Sequence, residues 1–177
     1  MTALTSPAKE GVRASQNEGA GEGKYLTFAL GAEEFGLEIL TVREIIGYIS
    51  VTPVPRTPHY VKGVINLRGQ VIPVMDLRLK FDMEASDVTD QTCIIVIETT
   101  QGQKEVSVGI VVDRVQEVLD IDGSDIDPPP QFSGSVSTDF ILGIAKVGSA
   151  VKILLDIDQV LQNDSLADLA GGENTAS

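Results

Sequence analysis

The 177-residue chain is poor in the side chains that carry acid–base, redox and metal chemistry. It has one histidine, His59, and one cysteine, Cys93. A single cysteine excludes an intramolecular disulfide and points to a reducing cytoplasm. One residue of each kind cannot build a zinc tetrad or single out a nucleophile–base pair. Cys93 opens an apolar run, where a buried inert thiol is expected, and His59 follows Pro58 in a turn-like context. No apolar stretch approaches the roughly 20 residues of a membrane helix, and Met1–Gly23 lacks the apolar core of a secretory signal. Basic residues are scarce: 13 Lys and Arg against 26 Asp and Glu give a net charge of −13. That balance disfavours nucleic acid and anionic membrane surfaces, which select basic patches. The glycines of Gly19–Gly23 follow no strand and open no helix, so they lack the setting of a nucleotide loop. Asp120, Asp122, Asp125 and Asp127 are spaced somewhat like calcium ligands, but Gly123 comes too early and Gln131 stands where the loop's closing glutamate belongs. The expectation is a non-catalytic protein without a cofactor or metal.

What is present is alternation of period two. Tyr25–Leu30 and Glu33–Leu40 read as strands around Gly31-Ala32. Val61–Leu67 and Gln70–Met75 meet at Arg68-Gly69, Thr92–Glu98 and Glu105–Val112 meet near Gly102, and Phe140–Val147 and Val151–Leu155 meet near Gly148. Val42, Ile45, Ile46 and Ile49 have the i, i+3, i+4, i+7 spacing, which predicts one or two helical turns from about Thr41. Asp76 is placed to cap a short helix at Leu77–Phe81, and Asp156 one at Ile157–Leu161 with Gln159 completing a capping-box pattern. Pro53–Pro55 and Pro128–Pro130 are extended connectors. Residues 1–23 and 164–177 are small and polar and are expected to be flexible tails.

The chain also resembles itself. Gly63–Phe81 matches Gly143–Leu161 without a gap at a shift of 80 residues: Gly63 meets Gly143, Val71 meets Val151 and Asp76 meets Asp156. Phe35–Ile46 matches Val108–Leu119 at a shift of 73, so that Gly36 meets Gly109 and Glu44 meets Glu117. The expected fold is therefore all-β with short helices: a domain over residues 24–163, its first repeat at about 24–82 and its second at about 90–163. Each repeat holds about five twisted strands, enough for a small SH3-like barrel. The two barrels pack closely and are candidates for strand exchange; a single open sheet is the alternative.

Four features exceed what a bare scaffold requires. Arg68 sits in a turn where the second repeat has Gly148, so the fold does not itself demand arginine; it either reaches a partner carboxylate or pairs within the protein. Arg43 and Glu44 face solvent if Val42, Ile45 and Ile46 face inward. Phe132 follows three prolines as either an interface anchor or an aromatic folded back onto the barrel. Ile94–Ile97 is apolar at every position, as in a strand buried on both faces or one with a face covered by a partner.

Four stretches carry a family resemblance: Phe35–Ile45, Lys62–Gly69 (KGVINLRG), Val74–Arg78 (VMDLR) and Val108–Asp113 (VGIVVD). Through them the chain resembles the CheW family of bacterial chemotaxis coupling proteins over about Lys24–Asn163. The resemblance implies two intertwined five-stranded barrels without enzymatic activity. It also implies an adaptor between transmembrane chemoreceptors and the histidine kinase CheA, cytoplasmic and recruited to membrane-attached arrays. The partners it implies are the receptor's cytoplasmic hairpin tip, the kinase regulatory domain and other copies of the chain in array rings. Carried over by motif, Ile39, Val42, Glu44, Lys62, Gly63, Arg68 and Ile94 are expected to face the receptor, with Gly63 letting its helix approach. Gln131 and Phe132 are expected to face the kinase.

Overall fold

The computed structural model describes residues 23–101, 103–129 and 140–161. Its strands are β1 (Gly23–Leu30), β2 (Glu33–Glu38), β3 (Val42–Gly47), β4 (Val61–Leu67), β5 (Gln70–Asp76), β6 (Cys93–Gln101), β7 (Lys104–Val112), β8 (Arg114–Ile121), β9 (Ile126–Asp127), β10 (Ile141–Val147) and β11 (Ala150–Leu155). Two one-turn helices, α1 (Leu77–Lys80) and α2 (Ile157–Val160), follow β5 and β11. The strands form a six-stranded sheet, β9-β10-β11-β2-β1-β8, and a five-stranded sheet, β3-β6-β7-β5-β4.

Both sheets curl. A flat six-stranded sheet would hold its outer strands about 24 Å apart. The chain nevertheless passes from β8 at one edge to β9 at the other through Asp122–Asp125, four residues that reach at most about 17 Å. In the five-stranded sheet the chain leaving edge strand β3 returns to edge strand β4, where Thr52 and Val64 exchange two backbone hydrogen bonds of 2.9 Å.

Each sheet combines strands from both halves of the sequence. The hairpin β1–β2 joins β11 through parallel pairing, Leu154 opposite Gly36. The hairpin β6–β7 joins β5 the same way, Val74 opposite Gly109. These two pairings are related by the shifts of 73 and 80 residues seen in the sequence. The same relation holds at the caps. Asp76 donates its N–H to Tyr60 and accepts from Arg78 N, while Asp156 donates to Phe140 and accepts from Gln159 N.

Because the hairpins cross over, the largest core lies between the barrels. Phe28, Leu30 and Leu37 of the six-stranded sheet meet Met75, Ile95, Ile97 and Ile110 of the five-stranded sheet there. Stacked and tilted rings Phe28, Phe35, Phe81 and Phe140 run through it with centroids 5.0 to 5.9 Å apart. A second core inside the five-stranded barrel holds Ile65, Ile72, Val74, Ile94 and Val96; a third, inside the other, holds Tyr25, Ile121, Ala145 and Leu154. This decides the apolar run in β6. Ile94 and Val96 fill the barrel, Ile95 and Ile97 fill the shared core, and the protein itself covers both faces.

Three elements differ from expectation: β8 and β9 are strands that the alternation pattern does not predict, and they bring one sheet to six strands where five were expected. The third follows β2. Residues Val42–Gly47 form a strand, preceded by a single 3-10 turn at Ile39–Thr41. The helical spacing of Val42, Ile45, Ile46 and Ile49 yields to pairing with β6, Ile45 opposite Ile95 and Ile46 opposite Ile94. Ladder bonds to a fully buried neighbour outweigh a weak, short helical pattern. Ile45 consequently turns outward, 42% exposed, and Glu44 turns inward to half burial.

Candidate docking surface

The chain crosses from the six-stranded to the five-stranded barrel at Ile39–Thr41. Ile39 and Val42 lean on the shared core, whereas Leu40 between them is 94% exposed. From there β3 carries Arg43 and Glu44 along the barrel edge. Arg43 donates to Ser107 Oγ at 2.7 Å, and Glu44 accepts from Arg68 Nη2 across the seam of the curled sheet. Arg68 is thus paired within the protein. It sits in a two-residue hairpin turn with φ +52, a left-handed conformation unusual for a side-chain-bearing residue. Asn66 Oδ1 accepts from Gly69 N at 2.8 Å and fixes the turn. Gly148 takes the same conformation, φ +60, in the second repeat. Arginine therefore replaces glycine at a position that favours glycine.

The motif-derived receptor residues fall into two groups. Ile39, Val42, Glu44, Lys62 and Arg68 retain solvent exposure along the crossover, β3, β4 and the β4–β5 turn. Gly63 and Ile94 are buried. Ile94 is fully enclosed, so it can shape the surface from below but cannot touch a partner. Gly63 is closed off by this chain's own backbone: a Cβ there would overlap the Thr52 carbonyl and stand 2.8 Å from Pro53 Cα. The glycine admits the returning 50s segment rather than a partner helix. Gln131 and Phe132 lie outside the described residues.

Sequence reasoning missed the residue that organises the other crossover. Asp113, between β7 and β8, accepts from Arg78 Nη2 at 2.6 Å, from Arg78 Nε at 2.9 Å and from Gly31 N at 2.6 Å. Arg78 Nη1 also donates to Glu84 O. One carboxylate thus ties the β1–β2 turn to α1 and, through Arg78, to the segment that joins the halves. The bidentate Arg78 partner holds the Asp113 carboxyl below the usual aspartate range, and Asp113 raises Arg78 in turn. The signal available was VVDRV, an aspartate interrupting two apolar strands.

A shallow cleft lies beside this ion pair, lined by Tyr48, Lys62, Arg78, Ser86 and Asp113. Among the described residues no group of three or more His, Cys, Asp or Glu is placed to hold a metal, and no helix is long and apolar enough to cross a membrane.

The CheW-like domain family model matches residues 24–165. The chain belongs to the CheW family. It is 40% identical over 144 residues to the chemotaxis protein CheW of Klebsiella aerogenes, covering 81% of this chain and 84% of that one. It is 34% identical to the chemotaxis protein CheW of Rhizobium meliloti, covering 80% and 88%. Among solved structures, the scaffolding protein TtCheW from Thermoanaerobacter tengcongensis superposes with a TM-score of 0.67 at 36% identity, covering 76% of this chain and 88% of that one. The curled sheets and their crossed hairpins are therefore the CheW fold, and the chain is a chemotaxis scaffold protein of that family.

Proposed function

We propose that this chain couples transmembrane chemoreceptors to the histidine kinase CheA, without catalysis, and so places kinase activity under receptor control. The observation that carries this reading is the family match, which spans nearly all of the described residues. The geometry supports it in three ways. Leu40 projects at the crossover between the barrels, flanked by Ile39 and Val42, as an apolar contact for the hydrophobic face of a receptor helix. Glu44 and Arg68 line the neighbouring edge with opposite charges that can fix register against polar groups of the hairpin tip. Lys62, on β4, adds a cation to the same edge.

In this proposal Ile94 and Gly63 hold the surface in shape and do not touch the receptor. Gln131 and Phe132 contribute to the kinase contact, and repetition of weak contacts in an array multiplies their effect, because a second tethered contact is effectively intramolecular. The test is co-sedimentation of the full chain with a receptor cytoplasmic fragment and CheA, with kinase activity measured in the pellet. Recruitment of CheA that depends on both the chain and the receptor fragment is the expected result. If CheA activity and sedimentation do not change when the chain is added, the coupling reading is wrong.

A further inference from the structure

A duplicated fold with two similar hairpins and two similar acceptor edges faces a pairing problem. Hairpin β1–β2 belongs on β11, and hairpin β6–β7 belongs on β5. The repeat makes the two sites near-equivalent, so backbone hydrogen bonding alone does not distinguish the right hairpin from the wrong one.

The two sites differ sharply at one buried position. Lys152 of β11 points into the six-stranded barrel alongside Leu154 and is 5% exposed. Its Nζ donates to Glu34 Oε1 at 2.5 Å. Glu34, on β2, is its neighbour across the parallel ladder, as the pairing of Ile153 with Phe35 requires. Gln116 Nε2 of β8 donates to the other carboxylate oxygen at 3.1 Å. Applying the shifts of 73 and 80 residues gives the corresponding trio in the other barrel: Ile72 for Lys152, Ser107 for Glu34 and Arg43 for Gln116. Ile72 is fully buried, and Arg43 donates to Ser107. The contact geometry recurs, but one barrel pairs a buried lysine with a carboxylate 31% exposed where the other carries isoleucine against serine.

We infer that the Glu34–Lys152 pair is a matching key that assigns each hairpin to its proper acceptor edge. Placing β1–β2 on β5 would set the Glu34 carboxylate against Ile72. Placing β6–β7 on β11 would leave the Lys152 ammonium facing Ser107. The second arrangement buries the Lys152 ammonium without its counter-ion, which costs far more than the correct pair gains, and the first sets a partly exposed carboxylate against an apolar side chain at a smaller cost. A pair with one desolvated member adds little net stability over an apolar pair of similar size, so its contribution here is specificity. Gln116 adds to the key by donating a hydrogen bond to the Glu34 carboxylate from the far side.

The test uses the full chain refolded from denaturant. Wild type is compared with E34S/K152I, which installs the other repeat's residues, and with E34K/K152E, which reverses the pair. Equilibrium unfolding midpoint, monomer yield by light scattering, and hydrogen-exchange protection of β2 are measured. E34S/K152I is expected to keep the wild-type midpoint while its yield of monomer with protected β2 falls several-fold, the remainder appearing as mispaired or dimeric chain. E34K/K152E is expected to refold with wild-type yield. Wild-type yield from E34S/K152I would overturn the inference. So would a loss of midpoint or of folding in E34S/K152I, which would make the pair a plain stabiliser, and so would misfolding of E34K/K152E.

Discussion

Gly36 and Leu154 meet across the parallel ladder between β2 and β11, and a Cβ on Gly36 would stand 2.9 Å from Leu154 Cδ2. The second copy of this relationship is Gly109 with Val74, where the added Cβ would lie 3.5 Å from Val74 Cγ2 and 2.8 Å from Ile94 Cγ2. At Gly36 the tight neighbour belongs to the acceptor strand β11, whereas at Gly109 it is Ile94 of the same hairpin, with Val74 of the acceptor strand β5 next.

Both positions resist alanine, but unequally. Leu154 Cδ2 is the end of a two-torsion side chain and can shift by rotamer change. Ile94 Cγ2 is fixed to a β-branched carbon with little χ1 freedom, inside a fully buried strand. Gly109→Ala is therefore expected to cost about 2–3 kcal/mol and Gly36→Ala about 1 kcal/mol, within the usual range for overpacking. Urea unfolding of the two variants checks the order; equal losses would show that the Ile94 side yields as easily as the Leu154 side.

Gly63→Ala should be worse than either. The new methyl would overlap the Thr52 carbonyl, and φ at residue 63 is +144, a region open chiefly to glycine. Neither backbone can retreat without breaking the Thr52–Val64 bridge that closes the barrel. A loss of about 3 kcal/mol or more is expected, read as a fall in thermal midpoint. A variant with unaltered stability and weakened receptor binding would instead return Gly63 to the partner-facing group.

The duplicated architecture was legible in the sequence because its markers are residues with narrow uses. Gly36 and Gly109 are demanded by close approach, and Asp76 and Asp156 by helix caps, so they recur in register. Strand β3 was not legible, because Val42, Ile45, Ile46 and Ile49 satisfy a helical spacing as well. Only the buried edge of β6, supplied from the other half of the chain, decides between the two. Arg68 stood out because its counterpart is Gly148, yet its partner Glu44 lies 24 residues away across a seam that exists only once the sheet has curled. Lys152 was invisible for the opposite reason. Hydropathy places Val151 inside and Lys152 outside, whereas Val151 is 54% exposed and Lys152 is buried; the phase of β11 follows Leu154 and Glu34.

Arg68 offers a separation of binding from folding. Its ion pair with Glu44 is exposed on the arginine side, 67% against 27%, and exposed pairs contribute about 0.5 kcal/mol. Replacing Arg68 by glycine, the residue of the second repeat, also removes the left-handed strain. Arg68→Gly and Arg68→Glu should stay within about 1 kcal/mol of wild type in stability. Both should bind a receptor cytoplasmic fragment about tenfold more weakly, a change of about 1.4 kcal/mol, with Arg68→Glu the weaker of the two because it sets a second carboxylate beside Glu44. Titration calorimetry with the fragment checks this, and wild-type affinity in both variants would remove Arg68 from the docking surface.

The Asp113–Arg78 lock gives stability a defined acid dependence. The carboxyl titrates below the ordinary aspartate range because Arg78 and Gly31 N donate to its charged form. A group depressed on folding stabilises fully above its unfolded value, near pH 4. That contribution disappears as pH falls through the lower folded value. Wild type should therefore lose stability progressively below about pH 4. Asp113→Asn keeps the size of the side chain but surrenders the charge-assisted bonds to a largely buried Arg78, 16% exposed. At neutral pH it should be about 2 kcal/mol less stable, and it should lose less on acidification than wild type does. Urea midpoints at pH 7, 4 and 3 measure both effects, and parallel acid slopes for the two proteins would show that Asp113 titrates alike in the folded and unfolded chain.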